Sequence, residues 1–136
     1  MRFDTKIAAV VRTDLPVWQR LNMVAFLVSG IAATDPSAVG EEYEDASGRR
    51  YLPMFRQPVL VFGATAAELR GVYERAVARG LPMAIFTDEL FSTNHDEANR
   101  AAVRAVASAD LALAGLALRA ERKQVDAVVK GLSLHP

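Results

Sequence analysis

Four short apolar runs, Lys6–Arg12, Val59–Ala64, Met83–Phe86 and Leu111–Leu118, each lead into polar residues and then a stretch of helical character. Runs of that length are too short for helices that bury themselves, and their bounding charges and turn residues mark them as strands. Strands that alternate with helices must lie in one sheet with helices packed on its faces. The expected fold class is therefore α/β: a three-layer α/β/α sandwich around a mixed sheet of about four strands.

The helices are read from their ends. Thr13-Asp14 supplies a side-chain cap, and Pro16 suits a first helical turn, where its missing N–H has no partner to lose. The helix over Pro16–Ala33 is polar early and almost wholly apolar later, so it should be sandwiched. Thr65-Ala66-Ala67-Glu68 is a capping box, and Leu69, Val72, Tyr73, Ala76 and Val77 repeat on one face behind it. Gly80 and Pro82 end that helix. Asp96 and Glu97 suit the first turn of a helix over His95–Ala107, and a last helix runs over Glu121–Lys130 to Gly131.

Between the first helix and second strand, Ala46-Ser47-Gly48 predicts a hairpin loop with Gly48 left-handed. That register sets Asp45 against Arg49, Glu44 against Arg50 and Tyr43 against Tyr51. Opposite charges and paired rings across strands each contribute about 0.2–1 kcal/mol. Residues 1–136 are thus expected to form one domain with a hairpin insertion over residues 41–52.

Sixteen basic residues offset sixteen acidic ones, which excludes a strongly basic nucleic-acid clamp. Cysteine is absent, so thiolate catalysis and cysteine-ligated metals are excluded. Two histidines, His95 and His135, cannot make a histidine-rich metal site, and no metal or cofactor is expected. No Gly-rich phosphate loop and no nucleophile elbow occur. The first apolar run, Ile7–Val11, is too short for a secretory signal, and Met23–Ala33 is too short to cross a bilayer. A cytoplasmic protein without membrane contact is the expectation.

The chemistry-bearing segment is Thr87–His95, which follows a core strand and offers a carboxylate, hydroxyls, an amide and an imidazole. α/β folds place ligand crevices beyond strand ends. Asp88, Ser92 and Thr93 are the candidate reacting groups, joined by Asn22, an amide just before an apolar stretch. Trp18, Asn94 and His95 are candidate ligand contacts. A turn with a helix cap accounts for the same segment equally well, and burial of Asn22 would require hydrogen-bond partners. Residue types and spacing alone give a fold class and no activity.

Lys6-Ile7 with Val10-Val11-Arg12-Thr13-Asp14-Leu15 resembles the opening strand of the type-2 peptidyl-tRNA hydrolases, K-x-x-x-V-R-x-D-L. Glu68-Leu69, Tyr73-Glu74-Arg75-Ala76, the turn Arg79-Gly80-Leu81-Pro82, Ala84 and Asp88 resemble that family's second helix and third strand. Leu113–Leu118 and Val125-Asp126 through Lys130-Gly131-Leu132 resemble its last strand and helix. Together these span about two thirds of the chain in the same order. The resemblance implies an α/β/α fold with a mixed four-stranded sheet, and a homodimer.

In the first helix the enzymes carry a lysine and then A-Q-x-x-H-A. Here Asn22 aligns with the glutamine and Ala25 stands where the histidine would be, with no lysine nearby. Asp88 matches the family's acid, and Ser92 or Thr93 its following threonine. The chain as a whole is most similar to an uncharacterised bacterial branch of this superfamily, described only as a domain of unknown function. The expected role is binding or processing of a small non-tRNA ligand near Asn22 and Asp88. Peptidyl-tRNA hydrolysis with tRNA as partner is the disfavoured alternative, and a non-catalytic dimerisation module is another.

Overall fold

Residues 3–136 are described by the computed structural model. In chain order they form β1 (Thr5–Arg12), α1 (Val17–Thr34), β2 (Tyr43–Glu44), β3 (Arg50–Tyr51), β4 (Val59–Ala64) and α2 (Ala66–Ala78). There follow β5 (Ala84–Thr87), α3 (Asp96–Arg104), β6 (Leu113–Glu121), α4 (Arg122–Val128) and β7 (Ser133–Leu134). A 3-10 turn, Asp88–Phe91, joins β5 to the loop before α3.

The main sheet has the order β5-β6-β1-β4-β7. β1 pairs parallel with β4 and antiparallel with β6, so the sheet is mixed. It has five strands where four were expected. The fifth, β7, pairs Leu134 with Phe62 and Ser133 with Gly63. Gly131, at φ +87°, turns the chain back to make this pairing. Two residues carry no readable period, which is why the strand escapes sequence reasoning.

Alternation along β1 feeds two cores. Ile7, Ala9 and Val11 pack with Met23, Leu27 and Ile31 of α1 and with Phe86. Ala8 and Val10 pack with Leu69, Val72 and Ala76 of α2 and Val125 and Val128 of α4. Helices therefore cover both faces of the sheet. Each fully buried leucine, isoleucine or valine contributes about 1.5–3 kcal/mol. β6 runs to Glu121, beyond the expected end at Leu118, because pairing with β1 continues to Thr5↔Glu121.

The entry to α1 differs from expectation. No side chain caps it: Asp14 accepts instead from Arg12, through Nε at 3.0 Å and Nη2 at 3.1 Å. Pro16 occupies the cap position, and its carbonyl accepts from the N–H groups of Gln19 and Arg20. Nor is α1 sandwiched. Only Met23, Leu27 and Ile31 are buried, whereas Trp18 is 62% exposed and Leu21 69%. The sheet covers one stripe of the helix, and the remaining apolar residues face outward.

α2 matches its sequence signals. Thr65 Oγ1 accepts from the Glu68 N–H at 3.1 Å, Glu68 Oε1 accepts from the Thr65 N–H at 2.9 Å, and Gly80 sits at φ +66°.

The hairpin has the expected register at Tyr43↔Tyr51 and Glu44↔Arg50, with Gly48 at φ +81°. Asp45 differs. Its carboxylate accepts from the N–H groups of Ser47 and Arg49 and from the Tyr51 hydroxyl at 2.7 Å, so it braces the loop and forms no ion pair with Arg49.

An alanine Cβ at Gly115 would lie 2.7 Å from Met23 Sδ and 2.9 Å from the Val10 carbonyl oxygen. Gly115→Ala is therefore expected to destabilise by about 1–3 kcal/mol in urea unfolding. Gly30→Ala, which meets only Ala84 Cβ at 3.4 Å within α1, should stabilise by about 0.5–1 kcal/mol.

In the hairpin, the Tyr51 hydroxyl and the Arg49 and Ser47 amides hold Asp45 below its ordinary 3.8, and Asp45 holds the Tyr51 phenol above its ordinary 10.0. The ordering supplied by the Asp45 carboxylate is complete above 3.8 and lost as pH falls through the lowered value; that from the Tyr51 hydroxyl is complete below 10.0 and lost as pH rises through the raised one. Amide exchange at Ser47 and Arg49 should therefore be slowest, relative to an unstructured peptide, between those limits. Asp45→Asn should remove the acid limb.

Candidate functional site

Trp18, Asn22 and Phe26 are spaced by four along α1 and form one stripe beside the buried one. Opposite them lie Phe86 at the end of β5, Leu90 and Phe91 of the 3-10 turn, and the loop and first turn of α3. Between these walls is a crevice of about 270 Å³.

Its back wall is aromatic. Phe26 meets Phe86 edge-on, with ring centroids 6.1 Å apart, and Phe86 meets Phe91 at 4.8 Å. Its rim is polar: Asn22, Thr93, Asn94, His95, Asp96 and Asn99. The single Thr93 hydroxyl proton has two acceptors within reach, the Leu90 carbonyl at 3.1 Å and Asn99 Oδ1. His95 is the cap of α3, its Nδ1 accepting from the Ala98 N–H at 3.2 Å. That bond fixes the neutral tautomer with the proton on Nε2, which is then free to donate.

The sequence candidates divide. Trp18, Asn22, Thr93, Asn94 and His95 come together around the crevice, whereas Asp88 and Ser92 do not line it. Asp88 Oδ1 accepts from Arg12 Nη1 at 2.7 Å, and its N–H donates to the Ala112 carbonyl. Ser92 closes the 3-10 turn, its N–H donating to Glu89. Asn22 is exposed rather than buried, so its amide needs no internal partner. The sequence reading missed Phe26, Phe86 and Phe91 as wall residues. The spacing Trp18, Asn22, Phe26 was the available signal for the first of them.

Arg12 ties the site to the sheet. Besides Asp14 and Asp88, its Nη1 donates to the Leu113 carbonyl at 3.1 Å. Hydrogen bonding to Asp14, then to Asp88, holds the guanidinium above its ordinary pKa, and the same contact with Arg12 holds Asp14 below the usual carboxylate range. Arg12 is thus committed inside the fold. Arg20 and Arg119 are also engaged, Arg20 with His135 Nε2 at 2.7 Å and Arg119 with Gln57 at 3.1 Å.

Among the described residues no group of three or more His, Cys, Asp or Glu is placed to hold a metal ion, and no helix is long and apolar enough to cross a membrane.

No curated protein matches this chain. A solved structure of a protein of unknown function from Agrobacterium tumefaciens strain C58 is 41% identical to it, with a TM-score of 0.96. The match covers 99% of this chain and 100% of that one. Residues 5–136 match the family model described as protein of unknown function, DUF2000. On that span the chain belongs to the DUF2000 family.

Proposed function

We propose that this protein binds a small uncharged ligand, a flat ring bearing amide or hydroxyl groups, in the crevice between α1 and α3. The observation that carries this reading is the lining itself: four aromatic rings, three asparagine amides, a hydroxyl and a neutral imidazole, with no cationic side chain. Rings bind apolar faces, and amides fix the edge of a ligand that shares their hydrogen-bonding pattern. A phosphate or carboxylate would meet no cationic side chain in the lining, and the one charged lining residue, Asp96, is an acid paired with Arg100. Asn22 and Thr93 contact the ligand in this account, with Trp18, Asn94 and His95. Asp88 and Ser92 position the 3-10 turn.

The scaffold is taken to be related to the type-2 peptidyl-tRNA hydrolases. The Arg79-Gly80-Leu81-Pro82 turn leading into β5, and the mixed sheet between helices, support that relation. Their reaction is disfavoured. A general base needs hydrogen-bond reach of the water it activates, and the Asp88 carboxylate is paired with Arg12 outside the crevice. Binding of a nucleic-acid backbone draws on cations free to neutralise phosphates, whereas Arg12 is ion-paired with Asp14 and Asp88.

A second reading is favoured by the outward face of α1. Val17 and Leu21, together with Leu52 beyond the hairpin, are exposed apolar groups of the kind that mark an interface. A homodimer burying them is compatible with the crevice. Light scattering should then give twice the chain mass for wild type and the single mass for Leu21→Glu with Leu52→Glu.

Trp18 is the only tryptophan and reports on the crevice directly. Benzamide should perturb its fluorescence saturably, with benzoate about tenfold weaker, the factor that about 1.4 kcal/mol of uncompensated charge produces. Asn22→Leu should weaken benzamide by a similar factor with the melting temperature unchanged. Equal affinity for benzoate would contradict the uncharged class. In parallel, a model peptidyl-tRNA should not be hydrolysed at low salt; turnover that Asp88→Asn abolishes would reinstate the enzyme reading.

A further inference from the structure

At the other end of α1, on the same face of the sheet, a second cavity of about 370 Å³ opens between the helix C-terminus, the start of β5 and β6. Its floor is apolar, built from Ile31, Met83, Ala84 and Ala117, and its charged groups are Arg119 and Asp35. It shares no lining residue with the α1–α3 crevice.

Arg119 is held in place rather than free. Its side chain is 17% exposed, and Nε donates to Gln57 Oε1 at 3.1 Å. Gln57 is itself buried and fixed, donating through Nε2 to the Thr5 carbonyl at 3.0 Å. Among the described residues this is the only hydrogen bond the guanidinium makes; Nη1 reaches Asp35 Oδ2 only at 3.7 Å. Nη1 and Nη2 reach the solvent of the groove, and the planar fork matches a carboxylate with two parallel bonds. The negative pole is equally specific. Asp35 follows the last turn of α1, where carbonyl groups carry partial negative charge and the helix itself supplies no basic residue; Arg119 is the cation beside it.

We infer that this groove is a binding site for a free α-amino acid with an apolar side chain. The ligand carboxylate lies on the Arg119 nitrogens, the ammonium on Asp35 and the C-terminal carbonyl end of α1, and the side chain on the apolar floor. A simple organic acid satisfies Arg119 but is repelled by Asp35. A simple amine satisfies Asp35 and leaves the guanidinium as it was. Only a molecule with both charged groups on one carbon answers two poles this close, and a residue within a peptide chain lacks them.

The test is a titration of the ¹⁵N-labelled protein with leucine, followed by amide NMR shifts. Leucine should move Asp35, Ala84 and Arg119 saturably, and 4-methylpentanoate, 3-methylbutylamine and glycine should each bind about tenfold or more weakly. Asp35→Asn, at a partly exposed position, should bring leucine down to the level of 4-methylpentanoate. Asn22→Leu should leave leucine binding unchanged, which separates this site from the crevice reading. Equal binding of 4-methylpentanoate and leucine to wild type, or no shift at Ala84 and Arg119 up to about 10 mM leucine, would overturn the inference.

Discussion

Burial of β1 on both faces is the constraint from which the other features follow. Ile7 through Val11 are all almost wholly buried, with odd positions facing α1 and even positions facing α2 and α4. A slip of one residue would exchange the two faces, so the register with β4 and β6 is closely specified. Small residues complete the fit: Ala8 and Ala9 keep the strand thin, and Gly115 lets Met23 of α1 approach β6. Where β1 ends, Arg12 gathers Asp14, Asp88 and the Leu113 carbonyl. One side chain thereby fixes the entry to α1, the 3-10 turn after β5 and the start of β6.

Two cavities of opposite character result at the two ends of α1. The helix is pinned to the sheet by a single stripe, Met23, Leu27 and Ile31, so its flanks remain open. Near its N-terminal end, rings and amides line a crevice with no cation. At its C-terminal end, a braced guanidinium faces a carboxylate over an apolar floor. Chemistry of this kind selects ligands by charge before size, and the two cavities should take different ones.

The elements that sequence reasoning finds are those whose signals are local. The capping box at Thr65 and the left-handed glycines at 48 and 80 act through neighbouring atoms, and they stand where they were read. Features decided by tertiary partners were less legible. Asp14 is a good cap on paper, yet it is drawn to Arg12 because an ion pair with two short bonds competes better than a single cap bond. Apolar composition suggested a sandwiched α1, but composition cannot say which of its stripes the sheet leaves uncovered. For the candidate site, the polar groups of Thr93–His95 before a helix and the Asn22 amide before an apolar stretch were local signals, and with Trp18 they line one crevice. That Asp88 turns away was not legible, because Arg12 is distant in sequence.

The central claim is that the α1–α3 crevice holds a small uncharged planar molecule, and crystals soaked with a mixed set of neutral and charged ring fragments test it most directly. The account predicts density for neutral amide-bearing rings between Trp18 and Asn99, against the Phe86 wall, and none there for the matching carboxylates. Carboxylate fragments occupying that crevice, or neutral rings found only elsewhere on the protein, would contradict it.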